Sequence, residues 1–166
     1  VQRSAYRDAM SSLSAAIDLL QRLPDGPERI QREVLLQLAT GPALIAVKGY
    51  AAPETGWAYT RARELCQRLG DPPELFSALY GLWVVHMLRG ELPRAYELAE
   101  RLLRLAQEAQ DPALLGQAQH ALGSNSYWMG RFLPAMEHLQ NATASYVPEG
   151  NLPLMLQYGG ADARVR

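Results

Sequence analysis

Reactive chemistry in this sequence would have to come from a short set of side chains. They are the histidines His86, His120 and His138, the single cysteine Cys66, and the tryptophans Trp57, Trp83 and Trp128, which could form a stacking box. A metal ion needs ligands that converge, and on a helix convergence means His, Cys or Asp three or four positions apart. None of the three histidines has such a partner, and Glu137 lies beside His138, where neighbouring side chains diverge. His138 therefore reads as a solvated surface residue, and no metal or cofactor is expected. Cys66 has no Asp or His beside it to draw its proton and lies near Leu65 and Leu69, so a buried or half-buried thiol is expected rather than a nucleophile. Trp57 and Trp83 are expected in the core, whereas Trp128, next to Tyr127, should leave one of the two partly exposed for lining a groove. The sequence lacks G-x-x-x-x-G-K-[ST], G-x-G-x-x-G and H-E-x-x-H, which removes the common phosphate-binding and zinc-protease chemistries. Asn141-Ala142-Thr143 fits a glycosylation sequon but falls inside an expected helix.

The elements that must position these residues are helical. Leu occurs 27 times and Ala 24, against 7 Val and 3 Ile. This balance favours helix, because β-branched side chains lose rotamer freedom there. The chain has 166 residues, 48% of them hydrophobic, enough for a continuous core. With 16 basic and 17 acidic residues the net charge is −1, so no global field draws nucleic acid or an anionic membrane. Arg61, Arg63, Arg68, Arg101 and Arg104 are interspersed with Glu64, Glu97, Glu100 and Glu108, the pattern of paired helix surfaces. The apolar run Ala43 to Val47 is too short to span a bilayer, and a lone cysteine fits a reducing compartment, so a soluble cytoplasmic protein is expected.

A period near 40 residues organises the chain. Asp71-Pro72 recurs as Asp111-Pro112, and Gly90 with Ala95 recurs as Gly130 with Ala135. Asp accepts from the free amides of a first helical turn and Pro has no N–H to leave unpaired, so both dipeptides are expected to start helices, with Glu74 completing a capping box on Asp71. Pro27 and Pro53, each followed by Glu, read the same way. Helices are predicted over 4–22, 27–47, 53–69, 73–89, 92–109, 113–129 and 132–146, with an eighth beginning near Leu152. In 92–109 the apolar set Leu92, Ala95, Tyr96, Leu98, Ala99, Leu102, Leu103, Leu105 and Ala106 clusters at three-and-four spacing on one side. Connections of a few residues make successive helices antiparallel hairpins, with the small residues Gly81, Ala95 and Ala99 in one unit and Gly123, Ala135 and Ala142 in the next placed where helices approach closely. The N-terminal Val1 and the polar stretch from Tyr158 suggest an excised piece, with one repeat domain over 1–157 and an irregular tail over 158–166.

Ala121-Leu122-Gly123, Gly130, Ala135, Leu139 and Ala142 resemble the tetratricopeptide pattern, and the preceding unit keeps Leu82, Gly90, Ala95, Ala99 and Leu102 with Trp83 in place of the small residue. The stretches Leu23 to Arg29, Lys48 to Glu54 and Ala58 to Asp71 resemble helical-repeat regions of bacterial multidomain signalling ATPases, linked in that group to nucleotide cyclase or protein kinase domains. This resemblance implies an all-α right-handed superhelix of antiparallel helix pairs that regulates or recruits through a protein or peptide partner, with catalysis in other domains. A small-molecule sensor with a ligand in the concave groove is the alternative, and a helical enzyme fragment a third reading. Groove-facing positions in such units fall on Ser77, Tyr80, Val84 and Met87, and on Gln117, His120, Ser124 and Tyr127, with Trp128 beside them. Helix 4–22 and the segment after Leu152 each lack a packing neighbour, so a homo-oligomer through these ends is a further expectation.

Overall fold

The computed structural model describes residues 2–50 and 52–145. Among them are seven helices and no strand: α1 (Gln2–Leu20), α2 (Pro27–Lys48), α3 (Pro53–Arg68), α4 (Glu74–Leu88), α5 (Leu92–Ala109), α6 (Pro112–Trp128) and α7 (Phe132–Ala144). The described residues are all-α. The predicted eighth helix near Leu152 lies outside the described residues. The chain divides into two compact units, residues 1–85 and 86–166, with the division inside α4.

Helix ends follow the repeat down to the backbone. After α3, α4, α5 and α6 the chain turns through a left-handed residue at 70, 90, 110 and 130, with φ of 81°, 75°, 52° and 74°. At each turn the left-handed amide reaches back three residues and the next amide five, as in Gly130 N–H to Tyr127 O (3.0 Å) and Arg131 N–H to Ser126 O (2.8 Å). This double bond pattern satisfies carbonyls that a helix end leaves open. Three of the four positions are glycine and the fourth is Gln110.

Helix starts split the two Asp-Pro dipeptides. Asp111 caps α6, its carboxylate accepting from Ala113 N–H (2.8 Å) and Leu114 N–H (3.2 Å). Asp71 does not start α4 as expected: it sits at φ 57°, and its own N–H donates to Cys66 O (3.0 Å) to finish α3. The physical reason is Pro73. A proline disfavours helical geometry in the residue before it, so Pro72 cannot open the helix and α4 begins at Glu74. Pro27 and Pro53 do open α2 and α3, with Glu28 and Glu54 in the first turns.

In the first unit α1 packs on α2 and α2 on α3. Its centre is Tyr59, 1% exposed, whose ring fills the space above Gly41 of α2 and Gly81 of α4. Val34, Leu38, Leu65, Leu75 and Leu79 are buried in the same unit. Polar ties cross it: Arg61 Nε donates to Glu33 Oε1 (2.8 Å) and Gln31 Nε2 to Glu74 Oε1 (2.8 Å). Arg61 therefore pairs across helices rather than along its own. Gly41-Pro42 lies within α2, where the proline withholds one backbone donor but the helix continues.

In the second unit α5 packs on α6 and α6 on α7. The stripe Ala95, Ala99, Leu102 and Ala106 is fully buried, and Asn125 Nδ2 donates to Leu92 O (3.0 Å) at the far end of the same pair. Gly123 admits α7 closely, since a Cβ there would lie 2.7 Å from Leu139 Cγ and 3.2 Å from Ala135 O.

Candidate functional site

Among the described residues no group of three His, Cys, Asp or Glu could hold a metal ion. His86 Nδ1 meets Glu91 Oε2 at 2.7 Å, and this contact holds the Glu91 carboxyl below its ordinary range. His138, expected in solvent, is half-buried with Nδ1 at 2.7 Å from Gln119 Oε1. His120 is buried, 3.4 Å from the Ser124 hydroxyl. Cys66 is buried as expected, and burial pushes its thiol up to about 11, helped by the charges of Glu74 and Asp71. A thiol so placed is a poor nucleophile at neutral pH.

The tryptophans part company. Trp83 is in the core as expected, tilted against Tyr80 at 5.1 Å, but Trp57 is 68% exposed rather than buried. The reason is helical spacing: α3 turns Thr55, Ala58, Tyr59, Ala62, Leu65 and Cys66 inward, and Tyr59 takes the central aromatic position, leaving Trp57 on the opposite side. Trp128 is 67% exposed and Tyr127 55%.

The groove positions divide between the two units. In the first, Ser77 and Val84 are half-buried, and Tyr80 is buried between Phe76 and Trp83. In the second, Met87, Gln117 and Ser124 are half-buried and His120 is buried, so Tyr127 and Trp128 are the members of the set that offer a large surface.

Those two continue into a surface that the sequence did not mark. The Tyr127 ring stands edge-on to Trp128 (5.7 Å) and to Phe132 (5.8 Å) across the turn between α6 and α7. From this cluster an open groove of about 780 Å³ runs along α7, lined by Ala135, Met136, Leu139, Gln140, Thr143 and Ala144. Phe132, Leu133 and Met136 are each more than half exposed. A signal was present: α7 carries Phe132, Leu133, Met136 and Leu139, a band wider than the stripe needed to pack on α6 alone. Together these side chains form a contiguous exposed apolar surface among the described residues.

Among the described residues no helix is long and apolar enough to cross a membrane. No family model matches the chain, and no solved structure matches it. It is similar to an uncharacterized protein of Rhizobium meliloti (strain 1021), 24% identical over 166 residues. That alignment covers 98% of this chain but spans only 16% of the length of the relative it matches.

Proposed function

We propose that this chain is a non-catalytic protein-interaction module of a larger cytoplasmic signalling protein, a tetratricopeptide-like stack of helix pairs. The observation that carries the reading is the exposed aromatic cluster Tyr127, Trp128 and Phe132, each more than half open to solvent at one turn. Aromatic side chains with large contact area and few rotatable bonds dominate protein interfaces. The recurrence of left-handed helix stops at 70, 90, 110 and 130 supports the repeat, and the resemblance to repeat regions of bacterial signalling ATPases supports the setting. Similarity to a part of a much longer bacterial protein agrees with an arm attached to other domains. The partner is a protein segment presenting apolar side chains to the turn between α6 and α7.

A small-molecule sensor is the second reading, favoured by a groove whose volume of about 780 Å³ falls in the range of ligand sites. One experiment separates the two. Tyr127→Ser, Trp128→Ser and Phe132→Ser are combined in the full-length parent protein, with Trp57→Ser as a surface control and helicity checked by circular dichroism. The interaction reading predicts loss of bound protein in the triple variant alone. Retained partners, together with a metabolite whose stabilising effect on unfolding the triple variant abolishes, would replace it with the sensor.

A further inference from the structure

Charge is unevenly placed among the described residues of the second unit. Asn125, near the end of α6, meets Leu92 at the start of α5, and the Arg131 guanidinium lies 5.3 Å over the Tyr96 ring. The turns at 90 and 130 therefore share one end of the unit, and the turn at 110 lies at the other. Along α5, Glu97 and Glu100 stand four positions before Arg101 and Arg104, a spacing at which opposite charges balance. What that leaves is polarised. The far end holds Glu108 and Asp111, the latter capping α6, and Glu137 lies more than a turn into α7. The shared end holds Arg89, Arg94 and Arg131 against Glu91. His86 Nδ1 lies 2.7 Å from the Glu91 carboxylate and Arg94 Nη1 3.4 Å; the His86 contact, then the charges of Arg94 and Arg89, hold that carboxyl below its ordinary range. One carboxylate so shared cannot neutralise three guanidinium groups. Arg89 and Arg131 are exposed, the Arg94 side chain is 73% exposed, and Arg131 is held by a ring rather than by a carboxylate.

We propose that the segment docking at the turn between α6 and α7 is acidic, its Asp and Glu side chains received by Arg131, Arg94 and Arg89 beside the apolar side chains that sit on Tyr127, Trp128 and Phe132. This rests on the partner reading of the same turn and gives that partner a chemistry. Packed helices lie about 8–10 Å apart, so an extended segment at about 3.3 Å per residue reaches from one turn to the other within a few residues. Arginine suits the task, because its planar fork of donors matches a carboxylate. The division of labour is that of protein interfaces: a desolvated aromatic centre holds, and charges at its rim steer and select. Arginine beside aromatic rings also suits single-stranded nucleic acid. That ligand needs cations along its backbone, whereas the groove leading away from the aromatic cluster is lined by Ala135, Met136, Leu139, Gln140, Thr143 and Ala144, with no cation among them. The short basic edge favours the acidic peptide.

The test titrates the full-length protein against three fluorescein-labelled peptides by anisotropy. All share the same Leu and Trp positions; the residues between are Glu and Asp in one, Gln and Ser in the second, Lys and Arg in the third. The acidic peptide should bind at least about tenfold more tightly than the neutral one, the basic peptide more weakly than either, and the differences should shrink as salt rises. Arg94→Glu with Arg131→Glu should weaken the acidic peptide by about tenfold or more and leave the neutral one nearly unchanged. Because Arg131 also contacts Tyr96, Arg94→Glu alone is the second variant; its side chain is largely in solvent, and it should weaken the acidic peptide several-fold with helicity intact. Failure of the acidic peptide to bind, equal binding of acidic and neutral peptides, indifference to both charge reversals, or tighter binding of a single-stranded uridine oligonucleotide would each overturn the proposal. The two readings fail differently. Equal binding of all three peptides that is lost in the Tyr127→Ser, Trp128→Ser, Phe132→Ser variant removes the acidic preference and keeps the partner reading, whereas acidic-peptide binding that survives that variant removes both.

Discussion

Replacing Gly81 by Ala is expected to destabilise the first unit, although Ala is the better helix former. The helical preference favours Ala by about 1 kcal/mol. Against it stands the Tyr59 ring: a Cβ on Gly81 would overlap Cδ1 and Cε1 and lie 2.6 Å from Cζ, and the ring is too deeply buried to swing aside. Overpacking of this kind costs about 1–3 kcal/mol, and severe overlap with an immobile ring lies at the upper end, so the net loss is about 1–2 kcal/mol. Gly116 supplies the control, because a Cβ there meets nothing closer than 3.5 Å. Gly116→Ala should gain up to about 1 kcal/mol. Urea unfolding followed by circular dichroism reads both. A third variant isolates the cause: with Tyr59→Leu the ring is gone, and Gly81→Ala on that background should no longer destabilise. The reasoning fails if Gly81→Ala stabilises as Gly116→Ala does, or if its cost survives Tyr59→Leu.

Other outcomes follow from the same contacts. A Cβ on Gly41 would run into the Tyr59 hydroxyl and Cζ, so Tyr59→Phe should recover part of the loss caused by Gly41→Ala, measured as a shift in urea midpoint; the hydroxyl itself is buried without a hydrogen-bond partner, so removing it costs little. Gln110→Gly should stabilise the second unit by about 1 kcal/mol in thermal or urea unfolding, because a side chain at φ 52° is strained where its three counterparts are glycine. Asp111→Ala should cost about 1 kcal/mol by the same assays through loss of the α6 cap. Burial raises the Cys66 thiol from an ordinary 9.0 to about 11, so the folded state prefers the protonated thiol. Stability from this source is complete below pH 9 and is lost as pH rises toward 11, which urea midpoints across that range would record, and maleimide should reach Cys66 only after unfolding.

What could be read ahead of the structure was what is local. Pro27, Pro53, Gly90 and Gly130 act on the backbone within a turn of themselves, and the helix bounds they imply agree with the observed ones to within two residues. Asp71 was misread because capping was judged from the Asp-Pro pair while Pro73, one residue on, moved the helix start. Trp57 was misread because an aromatic residue in a helical repeat suggests core, whereas the inward positions of α3 were already filled by Tyr59 and its neighbours. Gly81 was correctly placed at a close approach, but the residue that needs the space, Tyr59, lies on another helix and no local pattern names it. Exposure at Tyr127 and Trp128 was legible because two adjacent large side chains cannot both face inward. Phe132 and Met136 were not, since their exposure depends on what packs against α7 rather than on α7 itself.

The central claim is that the turn between α6 and α7 is where a protein partner binds, and solvent-protection footprinting tests it most directly. Hydroxyl-radical labelling of the full-length protein, alone and with its captured partner, compares two tryptophans that start almost equally open, Trp128 at 67% and Trp57 at 68% exposure. The account predicts strong protection of Tyr127, Trp128 and Phe132 on binding with Trp57 unchanged. Protection of Trp57 while Trp128 stays as reactive as in the free protein would contradict it.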